Sequence, residues 1–420
     1  IVSNQGGNLF HHRRKMSDGE VVLLVNSDLN ESSKGMVQLA GAGVVELNTF
    51  SGKVVDYPNS RSSENVKFDY ELSPGGHLLV YVFEKKHHSY QSSPVTTQRE
   101  YIMPVSPLKI NPLADNVLVV DFCDLELADS VHKDIHIYEA DQKVFKHFGF
   151  PEGNPWGTAI QYKKNIVERD INKHEGFKLI YHFQFDNLFN VSTADWKIVI
   201  ERSNLYSIAI NGIKVSNQTN EWWLDRDFCV LPLGKYICNG DNSLTLSIDS
   251  MNLDAEPAPI YVLGDFKLLS AEHGWKMVGL NNKIELGSWR VQGSPFYADA
   301  VTYEQCFQVP YCENMGYEVQ LGKWNGTVSE VLVNGVSAGI IAFKPYTLDV
   351  SKLIRPGINQ ISVKVVGSNK NLFGPFHNES SIGFVTSNLY KGTVNYPAGK
   401  DYMQFDYGLY EPFLLVSKSK

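Results

Sequence analysis

Two short clusters of acidic residues hold the side chains of this sequence best suited to acid–base chemistry. One strand and loop carries Asp121, Asp124 and Glu126, while Asp225 and Asp227 follow a pair of tryptophans. Paired carboxylates cut glycosidic bonds when one donates a proton and the other attacks or activates water. Asp121 stands between apolar residues, and we expect it to be solvated or to cap a turn. Asp225 and Asp227 could alternatively hold a structural calcium ion, since calcium prefers oxygen ligands.

Other catalytic patterns are missing from the sequence. It has no Gly-x-Ser-x-Gly motif, and its histidines stand mostly in polar runs that predict exposure, which argues against a nucleophile–base triad. It has neither His-Glu-x-x-His nor Cys-x-x-Cys spacing, so no metal ligands are predicted. The five cysteines favour buried thiols, with a Cys306–Cys312 or Cys229–Cys238 bridge left open. We therefore assign no catalytic residue and no cofactor.

Tryptophans in polar, turn-rich surroundings are the candidates for sugar contact. Trp222 and Trp223 face opposite sides of an alternating strand, so we expect one in the core and the other more exposed. An exposed indole can stack on a sugar ring, with Asp225 or Arg226 beside it. The alternative is that both indoles are packed, one of them against a neighbouring domain. Trp324 has a similar setting and the same two interpretations.

Composition narrows the class of protein. The net charge is −8 and no extended basic stretch occurs, so nucleic-acid binding is not expected. No run of 18 apolar residues is present, which predicts no membrane-spanning helix. Aromatic residues make up 12% of the chain, a proportion that suits either pleated sheets or sugar contact. The first residues, IVSN, match neither an initiator methionine nor a signal peptide, so we expect a processed chain or a fragment.

The elements that must position these residues are strands, and one strand pattern occurs twice. Residues 207–212 (SIAING) and 240–248 (GDNSLTLSI) are matched by residues 330–335 (EVLVNG) and 357–365 (GINQISVKV). Asn-Gly suits the positive φ angles of a tight hairpin turn, and period-two alternation marks a half-buried strand. The repeat predicts two copies of one β-domain.

The sequence as a whole predicts an all-β protein of three sandwich domains. We place these domains at 1–113, 114–270 and 271–420, with a Pro-containing connector between the first two. The second domain includes one helix near 137–148, where apolar residues have helical spacing. The third includes a long excursion over 370–400, and such insertions commonly serve recognition.

Several segments resemble the sugar-binding-like sandwich modules of large bacterial glycoside hydrolases. They are 260–266 (IYVLGDF), 287–297 (GSWRVQGSPFY), 331–335 (VLVNG), 345–350 (PYTLDV) and 371–375 (NLFGP). The chain is similar to the C-terminal region of α-L-rhamnosidase-like hydrolases (glycoside hydrolase family 106 and uncharacterised relatives). It also resembles the jelly rolls of family 2 glycosidases. The resemblance implies that the last two domains are duplicated galactose-binding-like jelly rolls, and it adds Tyr297 to the carbohydrate-binding candidates Trp222, Trp223, Asp225 and Trp324.

The resemblance implies a function for the chain but leaves the catalytic part of the enzyme unaccounted for. Nothing in the sequence resembles a (β/α)₈ barrel, which needs about 250 residues of alternating strand and helix. We therefore expect a non-catalytic accessory portion of a glycoside hydrolase that is exported by a bacterium to the periplasm or beyond. Its expected partners are a plant or host glycan and the catalytic barrel. The alternatives are a stand-alone lectin-like protein and an all-β polysaccharide-degrading enzyme.

Overall fold

The fold is built from antiparallel β-sheets. The computed structural model describes residues 1–85, 99–157, 163–169, 174–186, 195–279, 283–310, 315–377, 387–390 and 395–419. The predicted all-β fold class is confirmed. Within these residues the named strands pair antiparallel, apart from one parallel contact between residues 184–186 and 276–278.

The first unit is a two-sheet sandwich. Its strands are β1 (Ser3–Gln5), β2 (Leu9–Lys15), β3 (Gly19–Asn26), β4 (Ser33–Ala40), β5 (Gly43–Leu47), β6 (Val54–Asp56), β7 (Ser60–Ser62), β8 (Asn65–Leu72) and β9 (His77–Phe83). The sheets have the orders β1-β4-β8-β7 and β2-β3-β9-β5-β6. The alternating apolar side chains of β3, β4, β8 and β9 form the core between them.

The second unit contains most of the helical structure. The two strands that precede it in the chain belong to the third unit. Its strands are β12 (Asn116–Val120), β13 (Phe122–Leu127), β14 (Ser130–His136), β15 (Phe177–Asp186), β16 (Lys197–Glu201), β17 (Ser207–Ile210), β18 (Ile213–Val215), β19 (Trp222–Trp223), β20 (Asp225–Pro232), β21 (Gly240–Ile248), β22 (Ile260–Gly264), β23 (Lys267–Ser270) and β24 (Trp275–Val278). The predicted helix is confirmed as α1 (Ile137–His147), which buries Val144 and Phe145. A π-helical turn covers Lys163–Val167, and 3₁₀ turns cover Ser203–Leu205 and Gly234–Tyr236.

The third unit repeats the sandwich architecture of the second. Its strands are β10 (Arg99–Ile102), β11 (Lys109–Pro112), β25 (Ala300–Val309), β26 (Met315–Gln320), β27 (Trp324–Asn325), β28 (Val328–Val333), β29 (Val336–Ile341), β30 (Thr347–Asp349), β31 (Gly357–Val366), β32 (Gly408–Leu409) and β33 (Leu414–Ser419). A short helix α2 covers Lys370–Phe373, and 3₁₀ turns cover Arg290–Gln292, Ser387–Tyr390 and Gly399–Asp401. The excursion predicted over 370–400 begins at α2, and its residues 378–386 and 391–394 lie outside the described part of the chain.

The two later units share one topology. The order β15-β21-β17-β18 in the second unit matches β25-β31-β28-β29 in the third. The companion sheets, β12-β22-β16-β20 and β10-β33-β26-β30, correspond in the same way. Matching order in both sheets is the structural counterpart of the sequence repeat.

Strands β10 and β11 place the unit boundary differently from the sequence prediction. That prediction assigns residues 1–113 to the first domain, but β10 pairs with β33 and β11 pairs with β25. Both partners lie in the third unit, so the chain forms two strands of that unit before it enters the second. Strand partners so far apart in the sequence produce no local pattern. Alternation of apolar and polar residues alone therefore put the boundary near residue 113.

An identical asparagine network holds each repeated hairpin to its neighbouring strand. In the second unit Asn211 donates to the Asn242 side chain, at 2.8 Å, and accepts from the Ser243 amide, at 2.9 Å. In the third unit Asn334 makes the same two bonds, to Asn359 and from the Gln360 amide, at 3.0 Å each. Asn211 and Asn334 both have positive φ, as the Asn-Gly turn requires.

The second asparagine of each network is buried and fully used. Asn359 is 0% exposed; its amide accepts from the Arg355 N–H and donates to the carbonyls of Arg355 and Gly357. Asn242 makes the equivalent bonds around Cys238 and Gly240. Each network therefore ties its loop to the neighbouring strand and leaves the buried asparagine amide fully paired.

Within the described residues, no helix is long and apolar enough to cross a membrane. Cys229 and Cys238 are both free thiols, so the bridge left open between them does not form. Cys306 is also free, and Cys312 lies outside the described residues.

Removing one buried asparagine tests the network. We expect Asn359→Ala to lower the free energy of unfolding by roughly 3 kcal/mol, because all the hydrogen bonds of this buried side chain are lost together. Exposed Asn204→Ala is the control and should change it by less than about 0.5 kcal/mol. Urea unfolding followed by circular dichroism measures both. Equal, small effects for the two variants would contradict a structural role for the network.

Candidate functional site

A buried carboxylate lies where the second and third units meet. Asp121 connects β12 to β13 and is 2% exposed, since the apolar strand before it runs through the core. Its carboxylate accepts hydrogen bonds from His377 Nε2 and from the Tyr402 hydroxyl, each at 2.7 Å. His136 Nε2 is 3.6 Å away. His377 comes from the excursion of the third unit and Tyr402 follows that excursion, so one side chain of the second unit holds both ends of it in place.

The expectation that Asp121 is solvated or caps a turn is wrong, because its carboxylate is buried among donors. Burial alone would raise the pKa of Asp121, but the N–H groups of His136 and His377 that face its carboxylate hold it well below its ordinary value. His136 is also the N-cap of α1, where its Nδ1 accepts from the Tyr138 amide. That bond leaves the ring proton on Nε2, facing the carboxylate.

Asp121, His136 and His377 also have the residue types of a metal site, with one potential ligand atom from each within 4.8 Å of the others. A histidine that binds a metal donates its second ring N–H to an acceptor. Here Nδ1 of His136 faces a donor, and Nδ1 of His377 is buried with no partner in the part of the chain that the structure describes. The hydrogen bonding therefore favours a charged carboxylate held by donors over a metal centre.

Beside this cluster lies a cavity of about 450 Å³, here called the inter-unit cavity. Helix α1 and the ends of β16 and β22 form one side, and the excursion of the third unit forms the other. Its polar lining residues are Asp121, His136, Tyr138, Asp141, Gln142, Glu152, Asn154, Glu201, Glu256, Tyr261, His377 and Tyr390. Its apolar lining includes Phe373, Pro375 and Phe376 from the excursion.

Two acids of the inter-unit cavity share a single amide. Asn154 Nδ2 donates to Asp141 at 3.1 Å and to Glu256 at 2.6 Å. Burial is the main cause that raises the pKa of Asp141 to about 8, and the charge of Glu256 adds to it. Burial likewise raises the pKa of Glu201. Asp141 is therefore largely protonated at neutral pH, while Glu256 has Arg202 at 3.6 Å on its other side.

The carbohydrate-binding candidates of the sequence lie outside the inter-unit cavity. Trp222, Trp223 and Tyr297 line a second cavity of about 750 Å³ between the same two units. Trp222 is 56% exposed, whereas Trp223 is half-buried and packs against Tyr261 with ring centroids 5.4 Å apart. Tyr297 is buried, and its hydroxyl bonds the backbone of Leu113, Ala114 and Ala300.

The remaining candidates stand apart from both of these cavities. Trp324 is buried at the edge of a third cavity of about 500 Å³, with its indole N–H unpartnered. Asp225 is exposed and accepts from the Asp227 amide. Asp227, one of the two carboxylates considered for calcium, forms an ion pair with Arg202 at 3.0 Å.

Sequence reasoning did not single out Asp141, Glu201, Glu256, His377 or Tyr402. Asp141, Glu201 and Glu256 come together from separate elements of the second unit, whereas His377 reaches Asp121 because the excursion crosses onto that unit, more than 250 positions along the chain. One signal was available: the excursion was marked as a recognition segment, and it supplies one side of the inter-unit cavity.

No family model and no curated protein matches the chain. Among solved structures, the rhamnosidase from Novosphingobium sp. PP1Y aligns with 13% identity and a TM-score of 0.42, over 99% of this chain and 24% of its own. The β-D-mannosidase from Dictyoglomus thermophilum aligns with 10% identity and a TM-score of 0.24. That alignment covers 62% of this chain and 31% of the mannosidase. A family 2 glycosyl hydrolase from Bacteroides cellulosilyticus aligns with 10% identity and a TM-score of 0.23. That alignment covers 60% of this chain and 32% of the hydrolase. This chain thus spans a third or less of the length of these glycosidases.

Neutralising the buried carboxylate tests its role. We expect Asp121→Asn to lower the free energy of unfolding by about 3–5 kcal/mol, because the two imidazoles and the phenol lose a charged acceptor. The contribution is present above the ordinary pKa of 3.8 and is lost only as the pH falls below that value towards the lowered pKa. Glu126→Gln, which breaks a surface pair with Lys178, is the control and should cost less than about 1 kcal/mol. A loss of unfolding free energy no larger than that of the control would argue that Asp121 does not stabilise the contact between the two units.

The opposite pH dependence is expected at Asp141. Its raised pKa means that ionisation disfavours the folded state between the unfolded value, 3.8, and about 8. We expect Asp141→Asn to stabilise the protein progressively as the pH rises from about 5 to about 8, by an amount on the order of 1–3 kcal/mol. Thermal unfolding at several pH values measures the difference. A pH-independent difference from the parent would show that Asp141 ionises normally.

Proposed function

We propose that this chain is the non-catalytic, carbohydrate-binding β-region of a glycoside hydrolase, and that sugar binds in the inter-unit cavity. The observation that carries the proposal is the meeting of polar acceptors and aromatic rings in one enclosed space between two duplicated sandwiches. The sequence resemblance to accessory modules of bacterial glycoside hydrolases supplies the class of ligand. It also supplies the rest of the proposal: a catalytic barrel as partner, and export from a bacterial cell.

The cavity has the size and chemistry that a sugar requires. Small-ligand sites usually measure about 300–1,000 Å³ and combine apolar walls with a few fixed polar groups. Glu201 and Glu256 can accept hydrogen bonds from neighbouring sugar hydroxyls. The rings of Tyr261, Phe373 and Tyr390 provide apolar faces for the C–H side of a pyranose.

The same groups support binding over hydrolysis. A glycosidase needs one acid and one carboxylate placed on either side of the scissile bond. Asp121 already accepts from two donors, and Asp141 and Glu256 are tied to one amide on the same side of the cavity. These acids are engaged within the protein.

A titration of the full chain with oligosaccharides from a glycan panel tests the proposal. We expect at least one glycan to bind, and Tyr390→Ala to weaken its binding by roughly tenfold through loss of a stacking face. Trp222→Ala is the matched control, because that exposed aromatic residue lies on the second cavity. Isothermal titration calorimetry measures both variants.

Three outcomes would contradict the proposal. Loss of binding in Trp222→Ala but not in Tyr390→Ala would move the site to the second cavity. Binding of no glycan would favour a purely structural role. Cleavage of a glycan by the isolated chain, lost in Glu256→Gln, would make the chain an all-β enzyme.

A further inference from the structure

The charge inside the inter-unit cavity is unbalanced. Glu152, Glu201 and Glu256 line it, whereas none of its described lining residues is lysine or arginine. Arg202 approaches Glu256 from outside the lining, at 3.6 Å, and also pairs with Asp227. Burial and neighbouring acids raise the pKa of Glu201 despite Arg202, as expected for a carboxyl group with too little positive charge nearby.

A second observation, independent of the acids, is the unused nitrogen of His377. The side chain is 7% exposed and lines the cavity, and its Nε2 donates to Asp121. With the proton on Nε2, the other nitrogen, Nδ1, carries a lone pair, and this buried atom has no partner among the described residues. Buried polar atoms are normally paired, so this acceptor points to a donor that a ligand would bring.

The side-chain amide donors around the cavity, and the Tyr390 hydroxyl, are already occupied within the protein. The Asn154 amide donates to Asp141 and Glu256, the Gln142 amide donates to Asp141, and the Tyr390 hydroxyl donates to the Phe373 carbonyl. The carboxyl groups of Glu152 and Glu201 and the Nδ1 atom of His377 remain as acceptors for a ligand. The aromatic faces of Tyr261, Phe373 and Tyr390 add surfaces that attract a cation through the ring quadrupole.

We propose that the inter-unit cavity selects a sugar bearing a protonated amine over a neutral sugar of the same size. An ammonium group brings three donors and a positive charge to walls that offer acceptors, negative charge and aromatic faces. A hydroxyl in the same position donates once and carries no charge. This selectivity rests on the proposed sugar-binding function and specifies its substrate class as an amino sugar.

The test compares three disaccharides by isothermal titration calorimetry on the full chain: glucosamine disaccharide, its N-acetylated form and a glucose disaccharide. At about pH 6 and low salt we expect the amine to bind at least tenfold more tightly than either neutral ligand. That preference should shrink as the salt rises from about 50 mM to about 500 mM, because part of it is electrostatic. Glu201→Gln should reduce the preference about fivefold or more, and Glu126→Gln on the surface should leave it unchanged. Circular dichroism verifies folding, and the more exposed Glu152→Gln replaces Glu201→Gln if that variant does not fold.

The outcomes separate this inference from the function on which it rests. Equal affinity for charged and neutral disaccharides, with both weakened by Tyr390→Ala, would overturn the amine preference and leave sugar binding intact. The amine could also bind more tightly without being affected by Glu201→Gln or Tyr390→Ala. That result would reflect general attraction to an acidic protein and would also overturn the inference. Binding of none of the three would overturn it along with sugar binding in this cavity.

Discussion

One buried negative charge determines how the second and third units fit together. Asp121 loses its water on folding, and this loss is offset only if donors from the third unit replace it. His377 and Tyr402 supply those donors, and Tyr396 of the excursion stacks on Phe122, with ring centroids 4.1 Å apart. The carboxylate thus fixes the position of the excursion, and the excursion forms one side of the inter-unit cavity. The shape of the candidate site follows from this requirement.

The order of the strands along the chain gives the same junction a rigid frame. Because β10 and β11 enter the sheets of the third unit before the second unit begins, the second unit is connected to the third at both of its ends. The core of the second unit continues into Phe296, Leu372 and Phe376 of the third. Each unit closes its hairpin with the same asparagine network, so the loops around the junction are supported in the same way on both sides. A cavity between two such units is largely formed before any ligand arrives.

The sequence predicted what depends on local pattern and missed what depends on distant partners. Period-two alternation and Asn-Gly turns predicted the strands, the all-β class and the repeat, and helical spacing predicted α1. The burial of Asp121 could not be read from its neighbours, because it depends on His377 and Tyr402 far along the chain. The unit boundary was misplaced for a similar reason. Tryptophans drew attention as sugar platforms, yet the richest group of polar side chains lies in another cavity, and carbohydrate contact at Trp222, Trp223, Asp225, Tyr297 and Trp324 stays a prediction.

Hydrogen–deuterium exchange of the full chain, with and without a bound oligosaccharide, tests most directly whether ligand binds at the junction that Asp121 organises. We expect the ligand to slow exchange in α1 and in residues 373–377, on the two sides of the inter-unit cavity, and to leave β19 unchanged. Slower exchange confined to β19 and the second cavity, or no local change despite measurable binding, would contradict the placement of the site between the two units.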